Sequence, residues 1–180
     1  MASVFTHAFV AAAMGKVYAA EERPARFWLL AMLCAVVPDA DVVAFAFGIS
    51  YGSMFGHRGL THSLAFALLL GVALVAVFFR DAKNKASLVL FFFLATASHG
   101  ALDALTNGGL GVAFFAPFSG ERYFFPARPI EVSPIGVGAF FSEWGLAVIR
   151  SELLWVWLPA ALFVAAVIIF RRLRGKGEAH

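Results

Sequence analysis

The chain is poor in charge. Asp, Glu, Lys and Arg make up 14% of its 180 residues, against 62% hydrophobic residues; an ordinary soluble domain is nearer a quarter charged and half apolar. That shortage excludes a self-contained water-soluble fold, because the surplus apolar surface needs lipid to cover it. Cysteine is almost absent too. The single Cys34 lies in an apolar run, so no internal disulfide is available. No basic stripe marks a solvated face, which excludes a nucleic-acid partner. No Lys or Arg precedes the first apolar run in "MASVFTHAFVAAAMGKVY". The start therefore lacks the basic region of a signal peptide and reads as a retained first span. Internal repeats and low-complexity tracts are missing as well.

What is present is apolar length. Five segments, roughly 3–19, 27–47, 61–79, 86–106 and 152–170, approach the twenty or so helical residues that cross a bilayer. The expected fold is an all-α integral membrane protein: one polytopic domain over residues 1–180 with about five transmembrane helices. Lys and Arg gather in three places: Lys16 with "EERPAR" (21–26), "RDAKNK" (80–85) and "RRLRGK" (171–176). Cytoplasmic loops collect Lys and Arg, and five spans with the N-terminus outside put all three clusters inside. The expected topology is N-out, C-in, in a prokaryotic cytoplasmic (inner) membrane. The long connection 107–151 then lies outside. Its Pro and Gly content argues against another span. Within it "ERYFFPARPIEV" suggests a short hairpin, and the stretch after Gly138, with Phe140, Phe141, Trp144 and Val148, suggests a helix lying in the interface.

Ionisable side chains at membrane depth are costly and mark functional sites. Here they converge. His7 sits near the outer end of span 1, Asp39 and Asp41 near that of span 2, His57 and His62 at the start of span 3, and His99 and Asp103 in the outer half of span 4. His99 and Asp103 are four apart and share a helix face. Asp39 and Asp41 are about 200° apart on an ideal helix, but Pro38 breaks the segment and lets both turn inward. A turn at Gly59 brings His57 and His62 round, with Thr61 as N-cap of span 3. His180 reads as tail.

Imidazole and carboxylate together suit a divalent transition metal, zinc first and manganese second. Seven candidate ligands, His7, Asp39, Asp41, His57, His62, His99 and Asp103, exceed the needs of one zinc. Either two ions bind or some aspartates orient the imidazoles. Asp41 is a ligand or the general base. Arg58, with Arg122 or Arg128, is placed to meet an anionic substrate group. Ser63 beside His62 has the look of a nucleophile next to a base, or equally of a helix cap.

At these residues the chain resembles the YdjM-type, LexA-regulated inner-membrane proteins, described as membrane-bound metal-dependent hydrolases. The matching features are Thr6-His7, "PDAD" (38–41), "HRGLTHS" (57–63), "SHGALDALTNGG" (98–109) and "APFS" (116–119). They cover about the first 135 residues, with no departure at the motif positions. The resemblance implies a metal-dependent hydrolase, more distantly similar to zinc-dependent phospholipase C enzymes. The expected function is hydrolysis of a lipid or lipid-linked phosphoester or ester at the outer membrane surface, with the loop 107–151 as lid and membrane lipid as partner. One alternative is a divalent-metal transporter or sensor, which needs a polar route through the cytoplasmic half, where spans 3 and 5 are apolar. The other is a metal-independent lipid phosphatase, whose Lys-and-Arg first motif is missing.

Overall fold

Short polar residues start the helices at Val4, Leu64 and Lys85. The computed structural model describes residues 1–19 and 22–177, so His180 lies outside the described residues. Helix α1 (Val4–Tyr18) begins where Ser3 accepts from the Thr6 N–H. Helix α3 (Leu64–Phe78) begins where Ser63 accepts from Phe66. Helix α4 (Lys85–Ala104) begins at Asn84, which accepts from Ser87. Each side chain satisfies a backbone donor that the first helical turn leaves unpaired. Ser63, not Thr61, is thus the cap of the third apolar helix. Thr61 falls inside a 3-10 turn, Leu60–His62, and its hydroxyl is committed to Asp41 at 2.7 Å.

Helix α2 (Ala25–Val36) does not stop at Pro38. It tightens into a 3-10 segment, Val37–Phe47, which Gly48 closes at φ +73. Proline has no N–H for the α-helical ladder, and at three residues per turn Asp39 and Asp41 diverge by about 120°. That divergence lets them approach one neighbour from two sides.

Among the described residues all regular elements are helical, and three helical stretches are long and apolar enough to cross a membrane: Ala25–Phe47, Lys85–Ala104 and Glu143–Arg174. The other two expected spans are shorter. α1 and α3 have 15 residues each, about 22 Å of helix against a hydrocarbon core of about 30 Å.

The connection after α4 is also shorter than 107–151. After a single turn, α5 (Val137–Phe140), helix α6 (Glu143–Glu152) runs through a π-helical turn at Leu153–Trp157 into α7 (Leu158–Gly177). The expected interfacial helix is therefore the first part of the last long helix. No hairpin forms at "ERYFFPARPIEV": Tyr123 pairs with Val112 and Ile130 with Thr106 in isolated bridges. Pro126 and Pro129 withhold the N–H groups that a hairpin ladder needs.

α4 is central, packed on α3, α2 and α1, while α7 packs on α1. Phe27, Phe79, Phe91 and Phe92 with Ala31, Ala35 and Ala95 fill the half of the bundle near the start of α4. Small residues let the helices approach. A Cβ on Gly71 would stand 3.0 Å from Phe93 N and 3.1 Å from Val89 O. Gly71→Val should therefore push α3 off α4 at a cost of about 1–3 kcal/mol. Thermal unfolding of detergent-purified protein should show a melting temperature lower by roughly 2–4 °C per kcal/mol; an unchanged midpoint would contradict this packing.

Candidate metal centre

Four ligand atoms from three chain segments meet at one point: Asp39 Oδ1 from the 3-10 segment, His62 Nε2 from the turn before α3, and His99 Nε2 and Asp103 Oδ2 from α4. His62 Nε2 lies 3.0 Å from His99 Nε2 and 3.6 Å from both carboxylate oxygens. His99 Nε2 lies 3.3 Å from Asp39 Oδ1 and 3.9 Å from Asp103 Oδ2. All four residues are buried.

The ring protons decide what this cluster can be. His99 Nδ1 meets the Ala35 carbonyl at 2.7 Å, so Nδ1 carries the hydrogen and Nε2 the lone pair. Thr61 gives its one hydroxyl hydrogen to Asp41, so toward His62 Nδ1, 3.1 Å away, it accepts. His62 Nδ1 therefore also carries the hydrogen, with Asp41 Oδ2 at 3.2 Å. Two lone pairs then face each other across 3.0 Å, an arrangement that a cation shared between them would relieve. A proton would serve the two nitrogens alone. It would leave Asp39 Oδ1 and Asp39 Oδ2 buried with no hydrogen-bond donor, while Asp103 Oδ2 has the Arg58 guanidinium at 3.0 Å. A divalent metal serves all four atoms at once. Tetrahedral zinc at 2.0–2.1 Å from its ligands implies ligand–ligand edges of about 3.3–3.4 Å, close to the middle of the observed distances. The donor set fits.

Beside this centre Asp41 and His57, with His62, form a second buried group that could hold an ion. Asp41 accepts from His57 Nδ1 at 2.7 Å, from Thr61 Oγ1 at 2.7 Å and from the Arg58 N–H at 3.2 Å, besides its contact to His62. Asp39 and Asp41 thus lie on the sides of the two ring nitrogens of His62. His57 keeps a buried Nε2 without a partner, and its ring meets Tyr51 edge to face at 5.1 Å. Burial pushes the Tyr51 phenol above its ordinary range, so it stays neutral there.

Arg58 is turned inward, fully buried. Its Nε stands 3.0 Å from Asp103 Oδ2, and its terminal nitrogens donate to Gly108 O at 2.8 Å and Thr106 Oγ1 at 2.9 Å. The guanidinium expected to meet a substrate anion is spent on Asp103. A backbone φ of +61 accompanies this inward turn. Arg122 is likewise spent on carbonyls, donating to His57, Tyr51 and Ser53 at 3.0–3.1 Å. Of the three arginines, Arg128 alone stays exposed, its guanidinium 4.8 Å from the Phe124 ring. Ser63 Oγ accepts from the Phe66 N–H at 3.1 Å.

His7 stacks on His99 at 3.7 Å, with Nε2 3.5 Å from Asp103 Oδ1 and both ring nitrogens unpartnered. The sequence reading missed what aims it. Glu152, buried in the last long helix, accepts from Thr6 Oγ1 at 2.8 Å, from Ser3 Oγ at 2.6 Å and from the Ser3 N–H. Trp157 Nε1 donates to the same Thr6 hydroxyl at 2.6 Å. An acidic residue inside "WGLAVIRSELLWVW" was the available signal.

Comparison with known proteins shows the family. The model of the YdjM inner membrane protein family matches residues 1–174, and the chain belongs to that family. It is similar to "Inner membrane protein YbcI" of Escherichia coli (strain K12), 41% identical over 175 residues that cover 96% of this chain and 100% of the relative. No solved structure matches it. Family and relative support a bacterial inner-membrane location; neither name states an activity.

In metal titrations of purified protein, Asp39→Asn and His99→Ala should remove binding. Asp41→Asn should leave it about 10–100-fold weaker, as expected for a residue that orients ligands. Ser63→Ala should retain full affinity and cost about 1 kcal/mol of stability as a lost cap. If Asp41→Asn abolished binding as Asp39→Asn does, Asp41 would be a ligand itself.

Proposed function

We propose that this protein is a membrane-embedded metal-dependent hydrolase acting on a lipid or lipid-linked phosphoester or ester at the membrane surface. The observation that carries the reading is the pair of lone-pair-bearing nitrogens, His62 Nε2 and His99 Nε2, 3.0 Å apart beside carboxylate oxygens without donors. His62 and His99 with one or both of Asp39 and Asp103 would hold the ion, zinc before manganese by donor type, leaving a position for water. Bound there, it would supply Lewis acidity, acidifying water toward neutrality and polarising an ester or phosphoryl oxygen. Arg58 fixes Asp103, and Asp41 fixes the rings of His57 and His62. His57 Nε2, buried and unpartnered with Nδ1 held by a carboxylate, is the atom assigned to take the proton from the attacking water.

The proposed topology keeps five spans, N-out and C-in, with α1 and α3 as short spans. It puts the centre toward the extracytoplasmic surface, where the substrate's headgroup lies. The aromatic core of Phe27, Phe91 and Phe92 beyond the centre supports hydrolysis over transport, because it offers a travelling ion no polar step.

Metal analysis beside lipid-phosphoester hydrolysis tests the reading. Wild type should carry stoichiometric metal and lose activity on chelation, and His62→Ala and His99→Ala should lose both. His57→Ala should keep the metal while kcat falls about 10²–10⁴-fold. A metal-free wild type, or metal retained by both His62→Ala and His99→Ala, would overturn it.

A further inference from the structure

At the end of the bundle away from the metal centre, α1 and α7 leave a space that their own side chains do not fill. Ala12 and Ala13 of α1 and Ala161, Val164 and Ala165 of α7 line a groove of about 410 Å³. Side chains this small cannot close the gap between two helices. Phe9, stacked on Trp157 at 4.6 Å, bounds the groove toward the metal centre. From Phe9 to Lys16 it runs about 10 Å along α1. Lys16, Trp28 and Ile168 line its other end, and the same three residues line a polar recess of about 510 Å³. Groove and recess form one surface, apolar along the helices and polar at their ends.

The recess is cationic. Lys16, Arg23, Arg171 and Arg172 line it, together with the carboxylate of Glu22. Among the described residues none of these four cations forms an ion pair. Three are held by other means. Lys16 Nζ lies 5.0 Å from the centre of the Trp28 ring. Arg23 lies over Tyr18 and Phe27 at 5.5 and 5.9 Å. Arg171 donates to carbonyls at the end of α1, those of Lys16 and Val17, and to that of Ala19 just after it. Four cations around one carboxylate repel one another, and an anion relieves that repulsion. Basic residues and a Trp where apolar helices end draw anionic headgroups.

We propose that this face binds an anionic phospholipid, its phosphodiester among Lys16, Arg23, Arg171 and Arg172 and one acyl chain along the α1–α7 groove. The order of chemistries along the helix axis, cationic and then apolar, is that of a lipid seated in its own leaflet. A second copy of the chain would need the apolar part alone. Occupancy braces α7 against α1, the helix that carries His7 at its other end. The site lies apart from the metal centre and does not rest on the hydrolase reading.

The test is native mass spectrometry and thermal unfolding of the full chain in detergent, with added phosphatidylglycerol or phosphatidylcholine. Wild type should bind one phosphatidylglycerol per chain, prefer it to phosphatidylcholine, and melt higher with it. Lys16→Gln with Arg172→Gln should weaken phosphatidylglycerol binding about thirtyfold, following roughly 1 kcal/mol per cation. Ala161→Leu with Ala165→Leu should block the chain and remove binding of both lipids. Each pair should keep the lipid-free wild-type melting temperature, which separates lost binding from lost folding. The proposal fails if wild type binds the two lipids equally, if either pair keeps wild-type affinity, or if the groove proves to be a dimer contact that Ala161→Leu with Ala165→Leu splits.

Discussion

His62 faces carboxylates at both of its ring nitrogens, and the rest of the centre depends on that placement. On one side Asp41 and Thr61 fix the hydrogen on Nδ1; on the other, Nε2 faces His99, Asp39 and Asp103. Asp39 and Asp41 reach opposite sides of one imidazole because the chain after Pro38 is a 3-10 helix. An α-helix would have sent them about 160° apart, against about 120° here. Three carboxylates, Asp39, Asp41 and Asp103, are thereby gathered out of water near one guanidinium, Arg58. Such a set is expensive to bury unless a further cation completes it.

The centre divides into a rigid half and a fastened half. His99 and Asp103 stand on the last turns of α4, the most surrounded helix, and the Ala35 carbonyl fixes the His99 ring. His57, Arg58 and His62 come from an irregular segment whose backbone needs external support. Arg122 gives that support by donating to the carbonyls of Tyr51, Ser53 and His57, tying the segment to the chain after α4. Close backbone packing completes it: a Cβ on Gly59 would stand 2.1 Å from Met54 O, so no other residue fits that turn. Ligands held this way need little rearrangement to receive an ion.

Much of this was legible in the sequence because cost made it so. In so apolar a chain each His or Asp at membrane depth stands out, and the structure brings His7, Asp39, Asp41, His57, His62, His99 and Asp103 together. Caps and breakers were partly legible. Pro38 announced an irregularity, but whether the helix would end or tighten depends on neighbours far along the chain. Thr61 and Ser63 are equally good caps by composition; only the position of Asp41, twenty residues earlier, takes Thr61 away. Arg58 looked like a free cation for the same reason, since nothing local says that Asp103 lies 3.0 Å from its guanidinium. Glu152 was passed over because its partners, Ser3 and Thr6, sit at the opposite end of the sequence.

Glu152 also explains how a short first helix can serve a site that requires accuracy. α1 has 15 residues and packs with small side chains, so its rotation is weakly set by shape alone. Its first turn is pinned instead by polar contacts: Ser3 and Thr6 to Glu152, Thr6 to Trp157, and the Ala2 N–H to Asp103 Oδ1 at 2.7 Å. In a water-poor setting these bonds meet little competition. With Thr6 fixed, His7 can point only across the bundle, onto the His99 ring. The π-helical turn just after Glu152 falls where α6 must meet this polar knot before α7 continues along α1. The last helix therefore reaches the candidate metal centre without offering it a ligand, by setting the angle at which the first one arrives.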